Sequence, residues 1–121
     1  MQTYKGEERR KYPRAKISFI VSYRIKHPEE SYDLSQTKDA SQGGMLLTTN
    51  REFEKGTYLE MIIRFPFVPY KIRLLGEVVD SKKVVTNLIY ETRIRFVGPH
   101  KNFFKELGEF IKEKLKKEKN G

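Results

Sequence analysis

The sequence predicts an all-β fold, a compact antiparallel sheet or barrel, followed by one C-terminal helix. Three observations lead to this prediction. Apolar and polar residues alternate without a break from Ala15 to Lys26, turn signals separate several further apolar segments, and the apolar period becomes helical after Pro99. With 121 residues, the chain has the size of one domain that can bury a core without disulfides or metal.

The first strand has the most regular pattern. Its apolar residues occupy every second position and are Ile17, Phe19, Val21, Tyr23 and Ile25. This period of two predicts one continuous strand over residues 15–26, with one face buried. The charged stretch before it, "EERRKYPR", contains Pro13, which disfavours a helix and predicts an extended or turning lead-in.

The middle of the chain alternates between strands and turns. The predicted order is a turn at 27–31, a weaker strand at 32–38, the segment "DASQGG" at 39–44, an apolar segment at 45–49, a turn at 55–56, a strand at 58–65, a connection at 66–69, a strand at 70–81, a turn at 82–83 and a last strand within 85–97. Gly76 predicts a bulge or bend in its strand. The spacing is typical of a compact antiparallel sheet or barrel with six or seven strands.

The C-terminal segment predicts an amphipathic helix from about Lys101 to Lys117. Its apolar residues recur at spacings of three and four and are Phe103, Phe104, Leu107, Phe110, Ile111 and Leu115. If these residues pack on the sheet, the helix is a lid, whereas a remaining apolar stripe would indicate a partner or a dimer. The lysines of its last turns are expected to be solvated, with contact to acidic lipid or protein as the alternative.

The net charge of +9 is concentrated at the two ends of the chain. Residues 1–26 carry eight Lys or Arg and two Glu, residues 99–121 carry seven Lys and four Glu, and the region between them is balanced. This distribution predicts a local anionic partner, which could be nucleic acid, a nucleotide, an acidic lipid surface or an acidic protein. The chain has no cysteine and no apolar stretch long enough for a membrane span, so we expect a soluble, cytoplasmic protein without a disulfide scaffold or thiolate zinc site.

Two short motifs stand out in this background. One is Arg-x-x-x-Arg within "RRKYPR" at residues 9–14, and the other is Asp-x-Ser-x-x-Gly in "DASQGG" at residues 39–44. Each alone has an ordinary explanation. A chain with nine arginines can contain the first by chance, and the second can be a hairpin loop in which Asp39 forms an Asx turn.

In combination and order, the two motifs resemble the PilZ domain, the bacterial receptor module for cyclic di-GMP (c-di-GMP). The resemblance runs from about Arg9 to Val97 and includes the segments "LLGEVV" and "IRFVG". It implies a six-stranded antiparallel β-barrel of the PilZ type with a C-terminal α-helix, which agrees with the element count. It also implies a flexible N-terminal arm at 1–14, a barrel at 15–98, and a helix with a basic tail at 99–121.

The resemblance further implies a ligand site. Guanidinium groups pair with phosphate, stack on purines and form bidentate hydrogen bonds with guanine, while a carboxylate accepts from the guanine N1 and N2 donors. The expected ligand-binding residues are Arg9, Arg10, Arg14, Asp39, Ser41 and Gly44. The implied function is that of a stand-alone receptor for the second messenger c-di-GMP that transmits a conformational change to a downstream effector protein, with no catalytic residue, metal or cofactor.

Other function classes fit the sequence less well. His27 and His100 each neighbour a proline in expected solvated positions, and the sequence has no Walker loop, zinc spacing or nucleophile elbow, so we do not expect an enzyme. A β-barrel that binds RNA or single-stranded DNA would use basic and aromatic surfaces, but the aromatic residues here are needed for the core. The remaining alternative is a PilZ-like protein-interaction module that does not depend on ligand. Arg73 and Arg95 are expected at exposed strand positions, with Arg95 facing the ligand as the alternative.

Overall fold

The computed structural model describes residues 12–26, 31–85 and 88–120. Within these ranges the chain forms seven β-strands and one α-helix. The strands are β1 (Arg14–Ala15), β2 (Ile20–Ile25), β3 (Asp33–Ser41), β4 (Gly44–Thr49), β5 (Tyr58–Arg64), β6 (Lys71–Val85) and β7 (Ile89–Val97), and the helix α1 is Lys101–Asn120. Two expected ligand-binding residues, Arg9 and Arg10, lie outside the described residues.

Six of these strands close into an antiparallel barrel. The order around the barrel is β3-β2-β5-β6-β7-β4, and β4 pairs with β3 to close it. The additional strand β1 pairs with the last two residues of β3, beyond the part of β3 that pairs with β2. The predicted fold, a six-stranded antiparallel β-barrel with a C-terminal helix, is therefore confirmed.

The barrel interior is filled by alternate residues of the strands. In β5, Leu59, Met61 and Ile63 are fully buried, and the residues between them face outward. This is the period of two that a strand with one buried face requires, and each such side chain contributes roughly 1.5 to 3 kcal/mol by burial. Any polar site on the barrel is consequently built from the outward positions.

The first strand is interrupted, so the prediction of one continuous strand over residues 15–26 was wrong. Between β1 and β2, the backbone is held by the buried side chain of Thr37 on β3. Thr37 Oγ1 accepts a hydrogen bond from the Phe19 amide at 2.8 Å and donates one to the Ile17 carbonyl at 2.7 Å. The alternation of apolar residues does not reveal this break, because a distant side chain replaces the usual backbone partner.

Two further local predictions in β6 were also wrong. The predicted turn at Lys82 and Lys83 is part of the strand, where Lys82 pairs with Glu91 of β7. Lys82 and Lys83 point to opposite faces of the strand, and both are exposed because the β5 partner of β6 ends at Glu77 and the hairpin continues beyond it. Two consecutive exposed polar residues resemble a turn signal in sequence. Gly76 forms no bulge, since the ladder runs through it regularly and the register first shifts after Val78.

Helix α1 packs its apolar side against the barrel core. Leu107 and Ile111 are fully buried, and the Phe103 ring meets Phe65 edge to face with 4.9 Å between ring centroids. The four other apolar residues of the predicted stripe are partly buried against the same core: Phe103, Phe104, Phe110 and Leu115. The helix is therefore a lid of the barrel. In the part of the chain that the structure describes, no helix is long and apolar enough to cross a bilayer.

Candidate functional site

The Asp-x-Ser-x-x-Gly motif spans the end of β3 and the start of β4. Asp39 and Ser41 point to the outer face of the barrel, because Ala40 between them is fully buried. The chain then turns at Gln42, and Gly44 begins β4. The motif thus presents a carboxylate and a hydroxyl side by side on the outer surface.

Close backbone packing holds this loop against β7. A Cβ on Gly44 would lie 2.0 Å from the carbonyl oxygen of Ile94, so glycine is required for β4 to pair with β7 at this position. The Gly43 carbonyl accepts a hydrogen bond from the Phe96 amide at 2.9 Å. The Gly43 amide in turn donates to Ser41 Oγ at 3.1 Å. The serine hydroxyl of the motif is therefore fixed by the loop itself.

The strand β1 brings the end of the arginine motif to the same loop. Arg14 lies opposite Ser41, and Ala15 lies opposite Ala40. Directly opposed residues of an antiparallel pair project to the same face, and both alanines are buried. Arg14 and Ser41 consequently share the outer face. Four expected ligand-binding residues lie together in the described structure: Arg14, Asp39, Ser41 and Gly44.

Arg93 on β7 is a site residue that was not predicted from the sequence. Its guanidinium donates two hydrogen bonds to the Asp39 carboxylate, with 2.8 Å from Nη1 to Oδ1 and 3.3 Å from Nη2 to Oδ2. This bidentate arrangement fixes the orientation of the carboxylate more strongly than a single hydrogen bond. The alternation in "TRIRFV" could have placed Arg93 on an outward position, but its partner lies 54 residues away in sequence.

Two other arginines occupy exposed strand positions, as predicted. Arg95 lies opposite Gly44 and forms an ion pair with Glu77 on β6, so it borders the motif loop. Arg73 lies on β6 and donates to Glu60 on β5 at 3.3 Å. Arg95 therefore belongs to the surface around the motif, whereas Arg73 belongs to a separate group of charges.

The loop also contacts the N-terminal segment and the C-terminal helix. The Tyr12 ring lies over Gly43, since a Cβ added to Gly43 would be 3.1 Å from the ring atom Cδ2. On the other side, a Cβ on Gly108 of α1 would be 2.3 Å from Oε1 of Gln42. The loop is thus the place where three parts of the fold meet.

The surface around the loop combines cations with hydrogen-bonding groups. Arg14, Arg93 and Arg95 supply guanidinium groups, and the carboxylate of Asp39 stands beside them. Guanidinium groups match phosphate oxygens and the edges of purine bases, and a carboxylate matches ring N–H donors. Across the described residues, no group of three or more His, Asp or Glu side chains could hold a metal ion. The arrangement suits an anionic ligand that carries hydrogen-bonding rings.

Comparisons with known proteins agree with this structure. Residues 8–113 match the family model of the PilZ domain. The inhibitor of motility MotI/DgrA from Bacillus subtilis has a similar fold, with a TM-score of 0.72 and 15% identity over 88% of this chain and 51% of that chain. MrkH from K. pneumonia, solved in complex with c-di-GMP, has a TM-score of 0.72 and 17% identity over 93% of this chain and 55% of that chain. No curated protein matches the sequence.

This chain spans about half the length of the two solved proteins. At their low identities, these structures show a shared fold. The family model, in contrast, covers most of the chain and includes both motifs. The resemblance seen in the sequence is confirmed, and the chain belongs to the PilZ domain family.

Proposed function

We propose that this PilZ domain is a receptor for c-di-GMP and not an enzyme, and that the ligand binds at the outer face beside the β3–β4 loop. The observation that carries the proposal is the register of β1 against β3, which places Arg14 opposite Ser41. An arginine of one motif and the polar groups of the other then face the same space. The proposed ligand-binding residues are Arg9, Arg10, Arg14, Asp39, Ser41 and Gly44.

The chemistry of the ligand matches these groups. c-di-GMP has two phosphates and two guanines, so its receptor needs cations for the phosphates and oriented acceptors for the guanine N1 and N2 donors. Asp39 can serve as such an acceptor while it is paired with Arg93. A carboxylate has about four lone-pair sites, and the bidentate pair uses one on each oxygen. Gly44 keeps the backbone of the loop close to β7.

The comparisons support this choice of ligand. Both motifs of the chain fall within the PilZ family match, and MrkH, which has the same fold, was solved with c-di-GMP bound. Because a bacterial second messenger acts inside the cell, the proposal includes a cytoplasmic location.

The proposed response to ligand is conformational. A ligand bound by Arg9 and Arg10 as well as by Arg14 would hold the N-terminal arm against the barrel. The same loop contacts helix α1 through Gln42 and Gly108. Binding at the loop can therefore alter both ends of the chain and the surface offered to a downstream effector protein. The ligand shifts such an equilibrium only if it binds the two states with different affinity.

Isothermal titration calorimetry with c-di-GMP tests the proposed function. Arg14→Ala and Asp39→Ala should each bind at least tenfold more weakly than wild type, because hydrogen bonds to charged groups are worth roughly 1.5 to 3 kcal/mol. Arg64→Ala is the matched control, since Arg64 is an exposed arginine on β5, which pairs with neither β3 nor β4. No binding by folded wild type, or equal losses in Arg14→Ala and Arg64→Ala, contradicts the proposal.

A competition experiment distinguishes this function from nucleic-acid binding. Labelled c-di-GMP is bound first, and a mixed-sequence oligonucleotide is added at about 150 mM salt, close to physiological ionic strength. Non-specific binding of nucleic acid falls steeply with salt, whereas recognition of a dinucleotide should retain much of its affinity. Efficient displacement by the oligonucleotide at this salt concentration would favour a nucleic-acid-binding barrel.

A further inference from the structure

A cleft lies between helix α1 and the motif loop. It has a volume of about 480 Å³ and is lined by Tyr12, Gln42, Phe104 and four charged residues of the helix. Tyr12 is two residues before Arg14, and Gln42 lies inside the Asp-x-Ser-x-x-Gly motif. The cleft therefore borders the loop that carries the Asp-x-Ser-x-x-Gly motif.

The helix side of the cleft is basic. Lys101, Lys105 and Lys112 are four and seven residues apart, which places them on one face of α1. Glu109 is the single acidic residue in the lining, so the four charged side chains sum to +2. A cleft with this charge favours an anionic occupant.

In the part of the chain that the structure describes, none of the three lysines forms an ion pair with a carboxylate. In the described ranges, the ion pair within α1 joins Lys114 to Glu118, and neither residue lines the cleft. Elsewhere in the described residues, Lys38 of β3 forms an ion pair with Glu91. The ammonium groups of the cleft are thus available to an anion that enters it.

Packing keeps this basic face beside the motif loop. Gly108 lies between Lys105 and Lys112 on the helix, and the Gln42 side chain packs directly on it. The neighbouring Phe104 ring stacks on Phe96 of β7 with 5.2 Å between centroids and 4° between ring planes. The helix cannot move away from the loop without the loss of both contacts. The packing consequently keeps the helix lysines of the cleft beside the loop.

We infer that the cleft is an anionic subsite of the ligand site, in which Lys101, Lys105 and Lys112 contact one phosphodiester of the cyclic dinucleotide. This inference rests on the proposed function. It assigns Lys101, Lys105 and Lys112 to ligand binding, whereas the sequence predicts that the lysines of the last turns, Lys112 among them, are solvated. The two phosphates are then held by different parts of the fold, one by the arginine motif and one by the helix.

Titration of c-di-GMP into two double variants of the same helix tests this subsite. Lys105→Ala/Lys112→Ala removes two cleft charges, and the control Lys117→Ala/Lys119→Ala removes two charges from exposed residues outside the cleft. Alanine preserves the helix, and thermal unfolding verifies the fold of each variant. The cleft variant should bind about tenfold more weakly, and the control should change by less than about twofold.

The dependence of affinity on salt provides an independent readout. Loss of lysine–phosphate contacts should reduce the slope of log Kd against log salt concentration in the cleft variant but not in the control. Equal weakening in both variants would show a general effect of charge and overturn the subsite. Unchanged binding in the cleft variant, with strong loss in Arg14→Ala, would overturn the subsite and leave the proposed function intact. If wild type does not bind c-di-GMP, both proposals fail.

Discussion

The ion pair between Asp39 and Arg93 should couple the two residues in stability measurements. Arg93→Met removes the two donors to the carboxylate and keeps most of the side-chain volume, while Asp39→Asn removes the negative charge. Each single variant leaves a group on the outer barrel face without its charged partner. The double variant removes both charges and should therefore be less destabilised than the sum of the single variants.

The expected coupling follows from the burial of the pair. Exposed ion pairs contribute roughly 0 to 1 kcal/mol, and removal of one partner from a buried pair costs roughly 3 to 5 kcal/mol. The side chains of Asp39 and Arg93 are 18% and 25% exposed, so the pair lies between these limits. We expect a coupling energy of about 1.5 kcal/mol. For a chain of this length, that corresponds to about 6 °C in Tm.

The assay is a double-mutant cycle by urea unfolding of wild type, Arg93→Met, Asp39→Asn and the double variant. A coupling energy above about 1 kcal/mol confirms that Arg93 holds the Asp39 carboxylate. Strict additivity, within about 0.3 kcal/mol, would refute the reasoning that the bidentate pair fixes this acceptor.

Three further predictions concern the barrel. Gly44→Ala should cost more than about 2 kcal/mol in urea unfolding, because its Cβ would overlap a carbonyl oxygen of β7, and a near-neutral effect would refute this. Thr37→Val should cost about 2 to 3 kcal/mol since two backbone groups lose their partner, whereas Thr37→Ser should retain most of the stability. The hydrogen bond from Arg24 lowers the pKa of Glu60 below its ordinary value of 4.5. The ionised carboxylate therefore stabilises the fold fully above pH 4.5, and this stabilisation is lost as the pH falls through the lower pKa of the folded state. Glu60→Gln should therefore lose less stability on acidification than wild type, as measured by thermal unfolding from neutral to acidic pH.

The sequence predicted the elements whose pattern is set by local burial. Alternation in β2 and β5 and the helical spacing in α1 follow from one buried face, so β5 and α1 could be placed, and the buried face of β2 assigned, from neighbouring residues alone. The same logic failed at Lys82 and Lys83, where both faces of the long hairpin are exposed and consecutive charged residues resemble a turn.

Contacts between distant residues could not be predicted in this way. The break in the first strand depends on the hydroxyl of Thr37, and the orientation of Asp39 depends on Arg93. Neither partner leaves a periodic signal near the residue that it contacts. The Arg-x-x-x-Arg and Asp-x-Ser-x-x-Gly motifs were recognisable in sequence. The pairing of β1 with β3, which places Arg14 opposite Ser41, was not.

Chemical-shift mapping with c-di-GMP tests the central claim most directly. The claim is that a single ligand contacts both motifs on the outer face beside the β3–β4 loop. In a two-dimensional amide spectrum, saturation with ligand should shift the amides of Arg14, residues 41–44 and the neighbouring part of β7, while the amides of β5 stay in place. Shifts confined to β5 and β6, or an unchanged spectrum at millimolar ligand, would contradict the account.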